Sequence, residues 1–360
     1  MPVRVLIVDD SQFFQSRLKD IISQHPRLEV VGVASNGQQG VELARSLKPD
    51  VITMDFEMPV MDGVTAVRTI MAERPLPILM FSSLTYEGAR ITLDALAAGA
   101  VDFIPKDFAE VSRNSVVLKQ KLHERLLTLA GGAASGAPAS SARRPSEPAK
   151  PQDIDFTRQP TPAELKPRPR KSYAKPSLVV IGASTGGPVA LTEVLSSLPA
   201  NFSVPVLLVQ HMPENFTRAF AERLNKQCAL EVREAVDGDL IKPGLALLAP
   251  GGKQMMIDRR GVVKILPDDE RVNYKPSLDI TFGAAANAYS DRVLGVVLTG
   301  MGSDGCKGAG LLKQRGAQIW AQDKDSCVIY GMPMAVAREN LTDRVLSLKD
   351  IGPALAAEVR

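Results

Sequence analysis

Two doubly wound α/β domains with parallel sheets, joined by a flexible linker, are predicted by three observations in this 360-residue chain. Short apolar runs alternate with helically spaced apolar residues over positions 3–127; a Pro-, Ala-, Ser- and Gly-rich stretch follows; the alternation then resumes at residue 177. Alternating strand and helix patterns place successive strands parallel, with helices on both faces. The length exceeds one ordinary hydrophobic core. The expected boundaries are 1–127 for the first domain, 128–176 for the linker and 177–360 for the second domain.

In the first domain the strand candidates are "VRVLIV", "LEVVGVA", "DVITM", "PILMFS" and "VDFIP". Between them, stretches such as "FFQSRLKDII" and "GVELARSL" carry apolar residues at helical spacing. The linker, typified by "GGAASGAPASSARRPSEPAKP", has almost no periodicity and reads as a partly extended, solvated spacer. In the second domain "SLVVIGA", "VPVLLVQ", "RVLGVVLTG" and "AQIWAQ" read as parallel strands. The middle stretch "KPGLALLAPGGKQMMIDRRGVVKILPDD" reads as an inserted hairpin region with "PGG" and "RRG" turns.

Composition removes several classes. A formal charge of +3 is too small for a protein defined by a basic nucleic-acid surface. The three cysteines, Cys228, Cys306 and Cys327, are widely spaced and lack C-x-x-C, so neither a disulfide framework nor a zinc site is expected. No run of 18 apolar residues exists and the N-terminus meets acid within ten residues, so a cytoplasmic protein without membrane insertion is expected.

Acidic residues mark the first domain. Asp9 and Asp10 end its first strand, and Asp55 ends its third. Ligands of open parallel sheets bind outside the carboxyl ends of the strands, so these carboxylates converge at one rim. Converging carboxylates repel unless a cation intervenes, and Mg²⁺ with oxygen ligands is the expected one. Ser82 and Lys106, ending the fourth and fifth strands, reach the same rim and suit stabilisation of an acyl phosphate. A single Asp at a strand end more often caps the next helix; the five-residue arrangement argues against that reading here.

A lone hydroxyl marks the second domain. "LVVIGASTGGP" carries a buried strand into the pattern Gly182-Ala183-Ser184-Thr185-Gly186, a G-x-S-x-G turn that lifts Ser184 above a helix N-terminus. Alone, the turn fits an anion-binding loop equally well, although neither G-x-G-x-x-G nor G-x-x-x-x-G-K-[ST] is present. A serine nucleophile needs a base. Of the three histidines, His25 and His123 belong to the first domain, whereas His211 ends "VPVLLVQ" at the Ser184 rim. The acid that orients it comes later in the chain: Asp304 in "LTGMGSDG", with Asp279 and Asp323 as rivals. Cys306, beside Asp304, is expected only to pack under the loop.

The first stretch resembles the response-regulator receiver domain. That resemblance implies Asp55 as phosphoacceptor, Mg²⁺ held by Asp10, Asp55 and the Glu57 carbonyl with Asp9 assisting, and Ser82 and Phe103 at switch positions. One departure is Asp107, where the family usually carries proline after the lysine. A receiver followed by "GASTGGP", "QHMP", "LTGMGSDG" and "YGMP" resembles the chemotaxis response-regulator protein-glutamate methylesterase (CheB) family. The resemblance implies hydrolysis of γ-methyl glutamyl esters on chemoreceptor cytoplasmic helices, releasing methanol, together with deamidation of glutamines. It carries the triad onto Ser184, His211 and Asp304, places Thr185 and Met301 near the oxyanion site, and makes the array's histidine kinase the phosphodonor. The esterase step needs no cofactor, and a helical substrate calls for an open cleft. An intramolecular contact in which the unphosphorylated receiver covers the Ser184 rim is expected, with phosphorylation favouring the open form. A binding module with a degenerate esterase fold is opposed by the intact triad positions. A DNA-binding regulator is opposed by the absence of a helix-turn-helix signature. The same enzyme in an array that controls something other than swimming is compatible with every residue named.

Overall fold

The computed structural model describes residues 1–106, 115–133, 173–267 and 272–359. Asp107 and linker residues 134–172 lie outside them. The first domain runs β1 (Val3–Val8), α1 (Gln12–Ser23), β2 (Leu28–Ala34), α2 (Gly37–Leu47), β3 (Val51–Asp55), α3 (Gly63–Glu73), β4 (Ile78–Ser82), α4 (Tyr86–Ala97), β5 (Asp102–Pro105) and α5 (Val116–Ala133). Its sheet is parallel throughout, in the order β2-β1-β3-β4-β5. The first four helices start on side-chain caps: Ser11, Asn36, Asp62 and Thr85 each accept the N–H three residues on. The last helix runs to Ala133, so residues 128–133, assigned to the linker from composition, are helical.

The second domain runs β6 (Leu178–Ala183), α6 (Gly187–Ser196), β7 (Val206–Gln210), α7 (Glu214–Gln227), β8 (Glu231–Glu234), β9 (Leu245–Leu248), β10 (Gln254–Ile257), β11 (Val263–Leu266), α8 (Leu278–Tyr289), β12 (Val293–Val297), α9 (Cys306–Gln314), β13 (Gln318–Gln322), α10 (Met332–Arg338), β14 (Arg344–Leu346) and α11 (Leu348–Glu358). Seven parallel strands lie in the order β14-β13-β12-β6-β7-β9-β8. Every residue of β6, β7, β9, β12 and β13 is buried, as strands covered on both faces must be. Side chains from α6, α7 and α11 cover one face; those from α8, α9, α10 and the β10–β11 hairpin cover the other.

The irregular middle departs from its expected reading. "MMID" and "VVKIL" do form an antiparallel hairpin around Asp258–Gly261. "LALL", placed in that hairpin region from sequence, is β9, a parallel strand of the main sheet. Residues 235–244 carry the chain from β8 back into parallel register without a helix, a shorter crossover than parallel strands usually need.

The two domains touch. One apolar cluster includes Leu93 and Leu96 of α4 together with Leu191 of α6 and Phe220 of α7. Around it Arg223 pairs with Asp94 at 2.5 Å, Tyr86 bonds Glu222, and Asn215 Nδ2 donates to the Leu84 carbonyl at 2.7 Å. No helix among the described residues is long and apolar enough to cross a membrane. The cysteines are unpaired, as expected from their spacing.

Phe282, fully buried between α8 and the sheet, anchors one face of the second domain. Phe282→Ala is expected to lower the stability of that domain by about 3–5 kcal/mol in denaturant unfolding. Val236→Ala, at an exposed site, should stay within about 0.5 kcal/mol of wild type.

Candidate active site and receiver pocket

In the first domain the carboxyl ends of β1 and β3 bring Asp9, Asp10 and Asp55 together, with ligand oxygens within 4.8 Å of one another. Lys106, just past β5, places Nζ 2.7 Å from Asp9 Oδ2 and 2.6 Å from Asp55 Oδ2. Burial raises Asp55 to about 6 against the opposing pull of Lys106. Burial also raises Asp9. Asp10 and Glu57 face an open cavity of about 580 Å³ beside them. Three converging carboxylates, opening on a solvent-accessible cavity, form an oxygen-donor set suited to a hard divalent cation.

The other two predicted receiver residues point elsewhere in this conformation. Ser82 is fully buried; its hydroxyl donates to the Gly88 carbonyl at 3.2 Å and accepts from Thr92 Oγ1 at 2.5 Å. In this conformation the Ser82 hydroxyl is engaged with the first turns of α4 and not with the Asp55 rim, the Gly88 carbonyl accepting from Thr92 Oγ1 at 2.7 Å as well. Phe103 stacks on Phe216 of the second domain, with centroids 4.5 Å apart and planes 5° apart.

In the second domain the chain leaves β6 for β7 on one side, while β12 lies on the other, so the end of β6 is a topological switch point. Ser184 follows β6 there and is half-buried. The turn is as sharp as the motif requires, and its left-handed backbone falls on Gly186 (φ +77°), not on the serine. Pro188 sits in the first turn of α6. Ser184 N donates to the Thr299 carbonyl at 3.0 Å. A side chain on Gly300 would come within 2.8 Å of Ser184 Cβ, so the β12–α9 loop can lie against the serine only with glycine there.

His211 occupies the next position after the Ala183–Gln210 strand pair, beside Ser184. Its Nε2 is 2.7 Å from Asp304 Oδ2, and its buried Nδ1 has no hydrogen-bond partner among the described residues. With Nε2 facing a carboxylate, Nδ1 is the nitrogen free to accept a proton. Asp304 also accepts from Ser277 Oγ (2.8 Å), Leu278 N (2.7 Å) and Asp279 N (3.1 Å) at the start of α8. Burial alone would raise this carboxyl. The His211 hydrogen bond and charge, with the two N–H groups, outweigh burial and hold it below its ordinary value.

The rivals have other work. Asp279 accepts from Gly308 N at 2.7 Å near the start of α9. Asp323 accepts from Ser326 N at 3.0 Å after β13. His25 and His123 contact one another in the first domain, ring centroids 5.1 Å apart. Thr185 is buried, and its hydroxyl donates to Asp102 Oδ2 of β5 at 2.6 Å; Arg125 of α5 pairs with the same oxygen. Met301 packs against apolar residues of the first domain. Sequence reasoning missed Asp102, Ser277, Gln254 and Tyr274. "KPSLD" ahead of an apolar helix was a usable capping signal for Ser277. Tyr274, which stacks on His211, left none.

The fold and its two rims define a response regulator whose receiver is joined to a doubly wound α/β output domain. Family models described as "Response regulator receiver domain" and "CheB methylesterase" match residues 5–115 and 179–355. A protein-glutamate methylesterase/protein-glutamine glutaminase of Saccharophagus degradans is 59% identical, covering all of both chains. One from Pseudomonas aeruginosa is 58% identical over 98% of each. The Thermotoga maritima CheB methylesterase catalytic domain is 41% identical over 51% of this chain and 99% of its own, with a TM-score of 0.49. The chain belongs to the CheB methylesterase family.

A cation and a proton compete for Asp55, so lowering the pH through about 6 should weaken metal binding. Calorimetric Mg²⁺ affinity is expected to fall about tenfold between roughly pH 7.5 and roughly pH 5. An affinity constant across that range would show that Asp55 does not hold the ion.

Proposed function

We propose that this chain hydrolyses γ-methyl glutamyl esters on chemoreceptor cytoplasmic helices with Ser184 as nucleophile, under control of phosphorylation at Asp55. That it is a receiver-regulated methylesterase of chemotactic adaptation follows from its family and domain pair. The observation that carries the residue assignment is the His211–Asp304 pair beside a serine at the switch point of the sheet.

Ser184 Oγ attacks the ester carbonyl while His211 Nδ1 takes its proton, and Asp304 holds the Nε2–H and stabilises the imidazolium. The oxyanion faces the N-terminal end of α6, with Thr185 and Met301 beside it. Collapse breaks the ester C–O bond, and methanol leaves with the proton from His211. Water, deprotonated by the same nitrogen, then releases the glutamate carboxylate and restores Ser184. A glutamine amide follows the same route with ammonia leaving, which supports the deamidase activity named in the relatives. These steps call on the protein's own side chains and backbone N–H groups, and on water.

In the receiver, Asp9, Asp10, Asp55 and the Glu57 carbonyl would hold Mg²⁺, which when bound supplies charge for phosphoryl transfer from the chemosensory histidine kinase. The receiver restrains the esterase through the contact at Thr185 and the α4–α7 seam. A first domain that ends with α5, a second over 177–360, a cytoplasmic setting and no nucleic-acid partner complete the reading.

Ser184→Ala and Asp304→Asn should each lower methanol release from methylated receptor membranes by at least about 10³-fold, because nucleophile, base and orienting acid act as a unit. Activity surviving in Ser184→Ala would make the turn a binding feature. Arg223→Glu sets like charges against Asp94 and loosens the seam. Activity without phosphodonor is expected to rise about two- to fivefold, in line with a surface pair and a shifted equilibrium. Unchanged basal activity would show that this seam does not restrain the site.

A further inference from the structure

We infer that Tyr274 is a positioning residue for the esterase reaction, its ring holding the His211 imidazole in the plane from which Nδ1 takes the serine proton. The inference rests on His211 being the general base. The two rings lie face to face, with centroids 4.4 Å apart and planes 13° apart. Face-on stacking restrains the tilt of a ring that its hydrogen bonds leave free. Among the described residues His211 has one such bond, at Nε2, and none at Nδ1. A single bond along the ring edge still allows rotation about that bond, and the stack removes this freedom.

Tyr274 is itself built in. Its carbonyl accepts from Gln254 Nε2 at 2.7 Å, and Gln254 Oε1 accepts from Ser277 N at 2.8 Å. Gln254 is 2% exposed, so this bracket is closed to water. The next residue bracketed, Ser277, donates to Asp304. Tyr274 and the orienting carboxylate are thus tied to one short segment, and the two restraints on His211 move together. Burial pushes the Tyr274 phenol up, and the Asp304, Glu124 and Asp279 carboxylates add to that, so the ring stays neutral. A neutral, electron-rich face suits an imidazolium better than an imidazole, so the stack tightens when His211 holds the proton.

The test compares Tyr274→Phe with Tyr274→Leu in the full-length chain, following methanol release across a range of methylated receptor concentrations. The Phe variant is expected to keep kcat within about twofold of wild type. The Leu variant should lose about tenfold in kcat with KM within about twofold, the signature of an interaction used after substrate is bound. Equal losses in Phe and Leu, a loss confined to KM, or a fully active Leu variant would each overturn the inference. If the Leu variant fails to fold by circular dichroism, Tyr274→Met, apolar but ringless, is read in the same way. Activity retained in His211→Ala would instead overturn the assignment of the base.

Discussion

The catalytic domain is organised around one buried carboxylate. Asp304 is 4% exposed, and an ionised carboxylate there is affordable only with its lone pairs engaged. It takes three donors from residues 277–279 and one from His211. The backbone donors lie at the N-terminus of α8, where the helix dipole favours negative charge. Three segments that are distant in sequence are joined this way: the β12–α9 loop, the start of α8 and the end of β7. Removing the charge leaves Ser277, Leu278 and Asp279 with buried donors, so the acid shapes the rim as well as the reaction.

What the sequence disclosed follows from what repeats in it. Apolar runs bounded by turns located nine of the strands, and strand ends in parallel sheets face one rim, which is why Asp9, Asp55, Ser184 and His211 could be placed before any coordinates. The hairpin reading of "LALL" failed because four apolar residues with a ten-position return resemble a meander; only pairing with β7 and β8 makes the strand parallel. Asp304, in a Gly-rich loop after an apolar strand, was already preferred to Asp279, which follows the polar stretch "NYKPSL". The structure separates them by partner: Asp279 faces Gly308 N, Asp304 faces His211. Tyr274 lay beyond reach altogether. Stacking depends on two loops meeting in space, and no spacing rule records that.

The receiver reaches the catalytic rim through a strand of four residues. Asp102 at the start of β5 accepts the Thr185 hydroxyl and pairs with Arg125, and Phe103 stacks on Phe216. Lys106, just past the end of β5, grips Asp9 and Asp55. Chemistry at Asp55 that pulls on Lys106 would act on the same strand that touches Thr185, the residue after Ser184. The carboxylate at position 102 is paired from both domains, so separating them forfeits the Thr185 hydrogen bond, which water replaces at a small net cost. That cost is modest beside the apolar seam of α4 with α6 and α7. The polar contact sets where the domains meet, and the apolar seam supplies most of the attraction.

The state of the histidine fits this docked arrangement. A buried Nδ1 with no partner forfeits a hydrogen bond, a cost on the order of 1–3 kcal/mol. The site can recover it when Ser184 Oγ turns toward the ring, the geometry the reaction requires. The serine belongs to a turn whose next side chain is held by Asp102 of the receiver. On the proposed assignment, releasing that hold would free the turn, and the open Nδ1 would then favour the rotamer that completes the triad. Control of this kind needs no new group at the active site. It needs only a nucleophile whose neighbouring residue belongs, in the resting state, to a contact with the other domain.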